Sequence, residues 1–300
     1  MRRVSMLIVT VALFVKVWDG IVLATDSATT FSKRTLLIRE EHQVYNNADK
    51  IFHLHRELPI AAMTFGMGTV GPASIASLSK SFRLQLMGRD PNYADSLDVD
   101  NYTIQSVAER ASKMFAQAAQ DAGVTQWPSP PLGQGLGYVV TGMSSDCDKA
   151  EAWLLKFEGA TLEPQPELVY GPNQYGNKAF AQPEPVDRLF NGYDDALFDA
   201  LVANEVKAGK TQVQGEQAIN TFIANLNLKV NPVQPGMPLP DAIALARFMV
   251  ETTEGYARFR FGPDTVGGPV EVASISPHEG FKWIQRKHYY DRELNRGEQP

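Results

Sequence analysis

The stretch Asp19-Gly-Ile-Val-Leu-Ala-Thr-Asp-Ser-Ala-Thr-Thr30 decides how this chain of 300 residues is read. Asp19-Gly20 is a tight-turn dipeptide. Leu7 to Val17 precedes it as an apolar run rich in β-branched and aromatic residues, and Ile21 to Ala24 follows as a second. Two such runs about a short turn predict a hairpin from Leu7 to Asp26. Thr10 falls within its first strand, and a polar cluster opens at Asp26. Farther on, in Asn46-Asn-Ala-Asp-Lys-Ile-Phe52, a lone lysine, Lys50, heads a third short strand. Thr10 thus stands sixteen residues before Asp26 and forty before Lys50.

Composition narrows the function classes. The chain is 44% hydrophobic and 21% charged with a net charge of -6, as expected of a globular protein that buries a large core. No Lys/Arg stripe is present to neutralise phosphates, so no nucleic-acid partner is expected. Lys282, Arg286, Lys287 and Arg292 gather near the C-terminus, but acidic residues are interleaved, and they read as a solvated tail. Cys147 is the one cysteine, which excludes an intramolecular disulfide and a cysteine-based zinc site; a surface-loop thiol is expected. His53 and His55 alternate across Leu54 and are expected on one face of a strand. No third ligand is apparent, so neither a metal nor another cofactor is expected. Arg2-Arg3 and the apolar stretch Met6 to Val15 imitate a secretory leader. Val17-Trp18-Asp19-Gly20 offers no small-x-small cleavage site, however, and the stretch is too short to span a bilayer. A buried strand in a cytoplasmic protein without a membrane partner is the expectation, with export as the minor alternative.

Along the chain, Ile60 to Phe65 predicts a strand ending at Gly66-Met-Gly68. Ile75, Leu78, Phe82 and Leu86 recur at helical spacing. Asp90 to Asn101 is polar and turn-rich. A second helix is expected over Ile104 to Ala122, with Val107, Ala111, Met114, Phe115 and Ala118 inward. Trp127-Pro-Ser-Pro-Pro131 and the glycines at 133, 135 and 137 mark a loop. Gly137–Gly142 and Ala152–Phe157 read as paired strands. Val186–Val202, Gln217–Leu226 and Asp241–Tyr256 read as helices, the last burying Ile243, Ala246, Met249 and Val250. Gly267-Gly268 introduces Val270–Ile275, and Phe281–Gln285 completes a final hairpin. This order suits an α+β domain of two sheets between helical layers.

The spacing of Thr10, Asp26 and Lys50 about the hairpin resembles the start of a proteasome β-type subunit, a threonine-dependent hydrolase of the N-terminal nucleophile superfamily. Tyr138-Val-Val-Thr-Gly142, Trp153-Leu-Leu-Lys-Phe-Glu-Gly159 and Val266-Gly-Gly-Pro-Val-Glu-Val-Ala-Ser-Ile-Ser276 resemble its later strands. Gln182-Pro-Glu-Pro-Val-Asp-Arg-Leu189 and Asn191-Gly-Tyr-Asp194 are similar to a bacterial proteasome-like branch. Similarity runs in order over most of residues 10–287 and is dense around 10–70 and 262–287. The resemblance implies a four-layer αββα sandwich over 10–287, a propeptide or N-terminal extension at 1–9, and a polar tail at 288–300.

It also implies chemistry. A threonine hydroxyl needs a base, and the α-amine of a mature N-terminal Thr10, titrating near 7.7–8.0 in general, would serve. Lys50 would favour the alkoxide, and Asp26 would hold the lysine charged and oriented. Backbone N–H groups of the Ala62–Gly66 corner, at Met63 or Thr64, would form the oxyanion hole. A peptide or protein substrate, a homo-oligomeric ring and an ATP-dependent unfoldase partner follow from the same resemblance. The alternative is a catalytically inactive proteasome-like subunit with a structural or binding role. Asp26 to Lys50 is longer than usual in the family, so extra residues are expected to loop out there. Val9 stands where self-processing members have glycine. The Asp-x-x-Ser-Gly-Gly element reads Pro263-Asp-Thr-Val-Gly-Gly268, with Val266 for serine and Asp264 one place out of register. Gly-Ser-Gly is replaced by Ala179-Phe-Ala-Gln182 or Tyr170-Gly-Pro172. Gly66-Met-Gly-Thr-Val-Gly71 is a literal G-x-G-x-x-G, but Asp90, the acidic residue in range, has no strand before it, so a dinucleotide site is not expected.

Overall fold

A computed structural model describes residues 10–34, 40–90, 95–130, 134–260 and 266–287. The expected extension 1–9, the tail 288–300, Val9, Asp264 and Arg292 lie outside the described residues. The fold is mixed α+β. In chain order come β1 (Ala12–Val17), β2 (Gly20–Thr25), β3 (Thr29–Arg34), β4 (Glu40–Tyr45), β5 (Ile51–His53) and β6 (Ile60–Gly66). The short strands β7 (Thr69–Val70) and β8 (Ala73–Ser74) lead into α1 (Ile75–Leu86) and α2 (Ile104–Asp121). Then follow β9 (Leu136–Gly142), β10 (Glu151–Phe157), β11 (Glu167–Tyr170) and β12 (Gly176–Phe180). Helices α3 (Glu184–Asn191), α4 (Asp195–Lys207), α5 (Gln212–Leu226) and α6 (Leu239–Arg258) precede the closing hairpin, β13 (Glu271–Ser276) and β14 (Gly280–Gln285).

Two five-stranded antiparallel sheets form, ordered β12-β1-β2-β13-β14 and β11-β10-β9-β6-β5. Every position of β1 and β2 is buried, because both faces of their sheet are covered. That is why the sequence shows continuous apolar runs there rather than alternation. Leu13, Val15 and Val17, with Val22 and Ala24, meet Ala242, Ala246, Met249 and Val250 of α6. Ala12, Phe14, Ile21 and Leu23 point the other way and meet Ala61, Met63 and Val139 of the second sheet. The second sheet turns Ile60, Ala62, Tyr138 and Val140 toward Phe82 and Leu86 of α1 and toward Val107, Ala111 and Phe115 of α2.

Several expectations are corrected. β1 begins at Ala12, so Thr10 precedes the strand instead of lying within it. The insertion between Asp26 and Lys50 is not a plain loop: β3 and β4 pair antiparallel from Thr29↔Tyr45 to Arg34↔Glu40. The helix expected over 186–202 is two helices, because Gly192 adopts a left-handed backbone after α3 and Asp194 caps α4 by accepting from the Leu197 N–H at 2.9 Å. α5 starts earlier than its apolar stripe, at the Thr211–Gln214 capping box. β11 and β12 were not read from the sequence; they complete the outer edges of the two sheets.

The glycine motif has a structural use. β6 runs antiparallel to both β5 and β9, so the parallel unit a dinucleotide site requires is not formed here. Gly66 takes φ +81°, and a Cβ there would stand 2.1 Å from the Gly135 carbonyl oxygen. Among the described residues, no helix is long and apolar enough to cross a membrane.

Candidate active site

The β1–β2 hairpin sets the first two residues side by side. Ala12 pairs with Thr25, and the Asp26 N–H donates to the Val11 carbonyl at 3.2 Å, so Thr10 and Asp26 leave the same end of the hairpin together. Lys50 arrives from the other sheet, immediately before β5, whose Ile51 is seated in the core between the sheets. All three side chains meet. Thr10 Oγ1 donates to Asp26 Oδ1 at 2.7 Å, and Lys50 Nζ donates to Asp26 Oδ1 at 2.5 Å and also to Thr10 Oγ1. Thr10 and Asp26 are 0% exposed and Lys50 4%.

Asp26 is the hub. Oδ1 also accepts the Val11 N–H at 2.9 Å, and Oδ2 accepts the N–H groups of Ala28 at 3.1 Å and Gly267 at 3.2 Å. Gly267 belongs to the turn before β13, which closes on the site because Gly268 follows it. At Gly268 φ is +81°, and a Cβ would lie 2.5 Å from the Asn46 carbonyl oxygen. Burial pulls the Lys50 pKa below the usual lysine range; the Asp26 charge and hydrogen bond oppose this. The hydroxyl oxygen therefore accepts from an amine that holds its proton less tightly than a free lysine would. Its own proton points at a carboxylate. Lys50, as the donor to this oxygen, is the group here that favours negative charge on it, whereas the Asp26 carboxylate favours the neutral hydroxyl.

Thr10 and Lys50 border a cavity of about 580 Å³, together with Thr29, Phe65, Met67 and Ile75. At its rim Lys80 pairs with Asp49 at 3.0 Å. A cavity of about 560 Å³ between β12 and α3 is of similar size, but none of the three site residues lines it.

The expected oxyanion donors are placed differently. The Thr64 N–H donates to the Lys50 carbonyl at 2.9 Å, and its hydroxyl donates to the Gly137 carbonyl at 3.2 Å. Met63 is paired with both Ile51 and Val139, and its side chain fills the core between the sheets. The histidines do not share a strand face. β5 ends at His53, whose ring stacks on Phe281 at 4.2 Å, and His55 Nδ1 accepts the Glu57 N–H at 3.3 Å. Among the described residues no group of three His, Cys, Asp or Glu side chains could hold a metal. Cys147 is half-buried in the loop after β9.

Further groups around the site were missed in the sequence. Lys287, expected in a solvated tail, is 8% exposed and donates to Ser27 Oγ at 2.8 Å. Glu271 is 1% exposed on β13. Its signal was a charge inside the apolar run Val270–Ile275, which a covered strand has no reason to carry alone. Glu254 on α6 feels the Asp26 charge from the other side. Burial, followed by Asp26 and Glu251, pushes its pKa up to about 7. No protein-family model matches this chain, and no curated protein matches it in sequence.

Proposed function

We propose that this protein is a threonine-dependent N-terminal nucleophile hydrolase that cuts amide bonds, in peptides, with Thr10 after release of residues 1–9. The observation that carries this reading is the convergence of Thr10, Asp26 and Lys50 into one hydrogen-bonded cluster at the edge of a cavity. Residues forty apart in sequence meet in hydrogen-bond contact, which supports a shared role. In the mechanism, the freed α-amine of Thr10 takes the hydroxyl proton as Oγ1 attacks a carbonyl carbon. Lys50 stabilises the developing charge, and Asp26 holds Lys50 and the Thr10 segment in place. The protonated α-amine passes that proton to the amide nitrogen as the C–N bond breaks and the amine product leaves. It then takes a proton from water, which attacks the Thr10 ester, and returns it to Oγ1 as the carboxylic acid departs.

Three successive cores, from α6 through both sheets to α1 and α2, support the four-layer αββα sandwich of that superfamily. The proteasome-like resemblance extends the proposal to a cytoplasmic homo-oligomeric ring fed by an ATP-dependent unfoldase. A light-scattering mass of one chain would count against the ring.

A second reading is a non-catalytic proteasome-like subunit. It is favoured by the Thr64 N–H being engaged by Lys50 and by the complete burial of Thr10. The deciding experiment is the intact mass and N-terminal sequence of the native protein, followed by reaction with a threonine-directed electrophile. The hydrolase reading expects an N-terminal Thr10 that becomes labelled, and loss of labelling in a folded Thr10→Ala variant. An uncleaved, unlabelled chain supports the second reading.

A further inference from the structure

Glu271 and Lys287 have no part in the chemistry above, yet both are buried against it. Lys287 Nζ donates to Ser27 Oγ at 2.8 Å and to the Ala48 carbonyl, and lies 3.4 Å from Glu271 Oε2 and 4.0 Å from Asp49 Oδ1. The Glu271 carboxylate accepts the backbone N–H of Lys50. Ser27 directly follows Asp26, and Ala48-Asp49 directly precedes Lys50. The two segments also touch directly, the Ala48 N–H donating to the Ser27 carbonyl at 3.0 Å. The pair therefore grips both pieces of chain that deliver the charged groups of the site.

We propose that Glu271 and Lys287 are positioning residues for the Thr10–Asp26–Lys50 cluster, locking the Asp26-Ser27 and Ala48–Lys50 segments together and balancing the charge beside Lys50. Its catalytic consequence rests on the hydrolase reading; the electrostatic part does not. Burial pushes Glu271 and Lys287 toward their neutral forms, each opposed by the charge of the other. Their charges act on Lys50 in opposite senses: Lys287 disfavours its ammonium form, and Glu271 favours it more weakly. Among the described residues, Lys50 also faces Asp26 after β2 and feels Glu254 on α6, and Asp49 directly precedes it in the chain.

The test is NMR titration of the Lys50 side chain in lysine-labelled protein, comparing wild type, Glu271→Gln and Lys287→Met. Glu271→Gln removes an anion that favours the Lys50 ammonium, while Lys287 keeps Asp49 at 4.0 Å, and it is expected to lower the pH at which Lys50 releases its proton. Lys287→Met removes a like charge and is expected to raise that pH, even if Glu271 becomes protonated in consequence. General loosening of the site would move both variants the same way. Shifts of the same sign, or no shift in either, overturn the proposal. Where one variant does not fold, the sign in the other decides. In parallel, Thr10 labelling by a threonine-directed electrophile is expected to slow roughly 10- to 100-fold in Glu271→Gln, and Lys287→Arg is expected to retain most of the wild-type rate. A wild-type protein that is never labelled at Thr10 refutes the hydrolase reading, while the Lys50 titration still judges the pair.

Discussion

Asp26→Asn tests whether the buried cluster is held as the geometry says. The carboxylate accepts from five donors: Thr10 Oγ1, Val11 N, Lys50 Nζ, Ala28 N and Gly267 N. An asparagine has one acceptor oxygen and one NH₂ group. If its oxygen stays toward Thr10, Val11 and Lys50, its NH₂ confronts the N–H groups of Ala28 and Gly267. If it flips, the NH₂ confronts Val11 and Lys50. In either pose at least two buried donors lose their acceptor, at about 1–3 kcal/mol each. Lys50 also loses its counter-charge at full burial, and breaking a buried pair costs about 3–5 kcal/mol in other proteins. These losses overlap, so about 3–5 kcal/mol is the expected total. With a urea m-value of about 3 kcal/mol/M, the unfolding midpoint falls by about 1–1.7 M. The double variant Asp26→Asn/Lys50→Met removes both charges and is expected to be more stable than Asp26→Asn alone. The assay is urea unfolding followed by fluorescence and circular dichroism at neutral pH. A single variant within about 0.5 kcal/mol of wild type, or a double variant worse than the single, would refute this account of Asp26 as the hub.

Two other outcomes follow from the structure. The Glu254 pKa is raised from 4.5 to about 7, so between those values the folded protein holds a proton that the unfolded chain has released. Stability from this group is present at low pH and is lost as pH rises through that window. Urea midpoints of wild type are therefore expected to fall between pH 5 and 7 relative to those of Glu254→Gln, and parallel profiles would count against the buried carboxyl. Phe14 is 0% exposed and meets Tyr170 edge-on at 5.3 Å and Phe180 at 6.0 Å between the sheets. Phe14→Ala is expected to cost about 3–5 kcal/mol in urea unfolding and Phe14→Leu distinctly less; equal losses would place strain rather than a cavity at that position.

What the sequence made legible, and what it did not, divides on physical lines. β1, β2, β6 and β9 announced themselves because strands covered on both faces must be apolar at almost every position. α2 announced itself by an apolar stripe behind the Thr103 cap. β12 has the sequence Gly-Asn-Lys-Ala-Phe and is buried only at its two ends, Gly176 and Phe180, so it carries too little apolar signal to be read as a strand alone. The ribbon β3–β4 belongs to neither five-stranded sheet, and its pairing is local. Within the site, Thr10, Asp26 and Lys50 were singled out by the resemblance of their order and spacing to the start of a proteasome β-type subunit. Lys287 was misread because interleaved charges look solvated, and nothing local says that a lysine two residues past a strand turns inward to Ser27. The Thr64 amide was assigned by its place in a corner, and a ladder bond to Lys50 is not visible in sequence.

The fold and the candidate site obey one constraint. Side chains on β1 alternate between the α6 side and the core between the sheets, with Leu13 and Val15 on the first and Ala12 and Phe14 on the second. Slipping β1 by one residue against β2 would exchange the two sets and drive Phe14 against α6. The same slip would move Thr10 about 3.3 Å along the strand, beyond hydrogen-bond reach of Asp26. Lys50 is held to the same register from the opposite sheet, because Ile51 beside it sits in the core shared by both sheets. Buried ion pairs are weak contributors to stability, and apolar side chains of similar volume would fill these places at equal or lower cost. The apolar pattern alone therefore suffices to align the sheets. The charges at Asp26 and Lys50 use that alignment: one sheet supplies the hydroxyl and its carboxylate, and the other supplies the ammonium that lies against the oxygen.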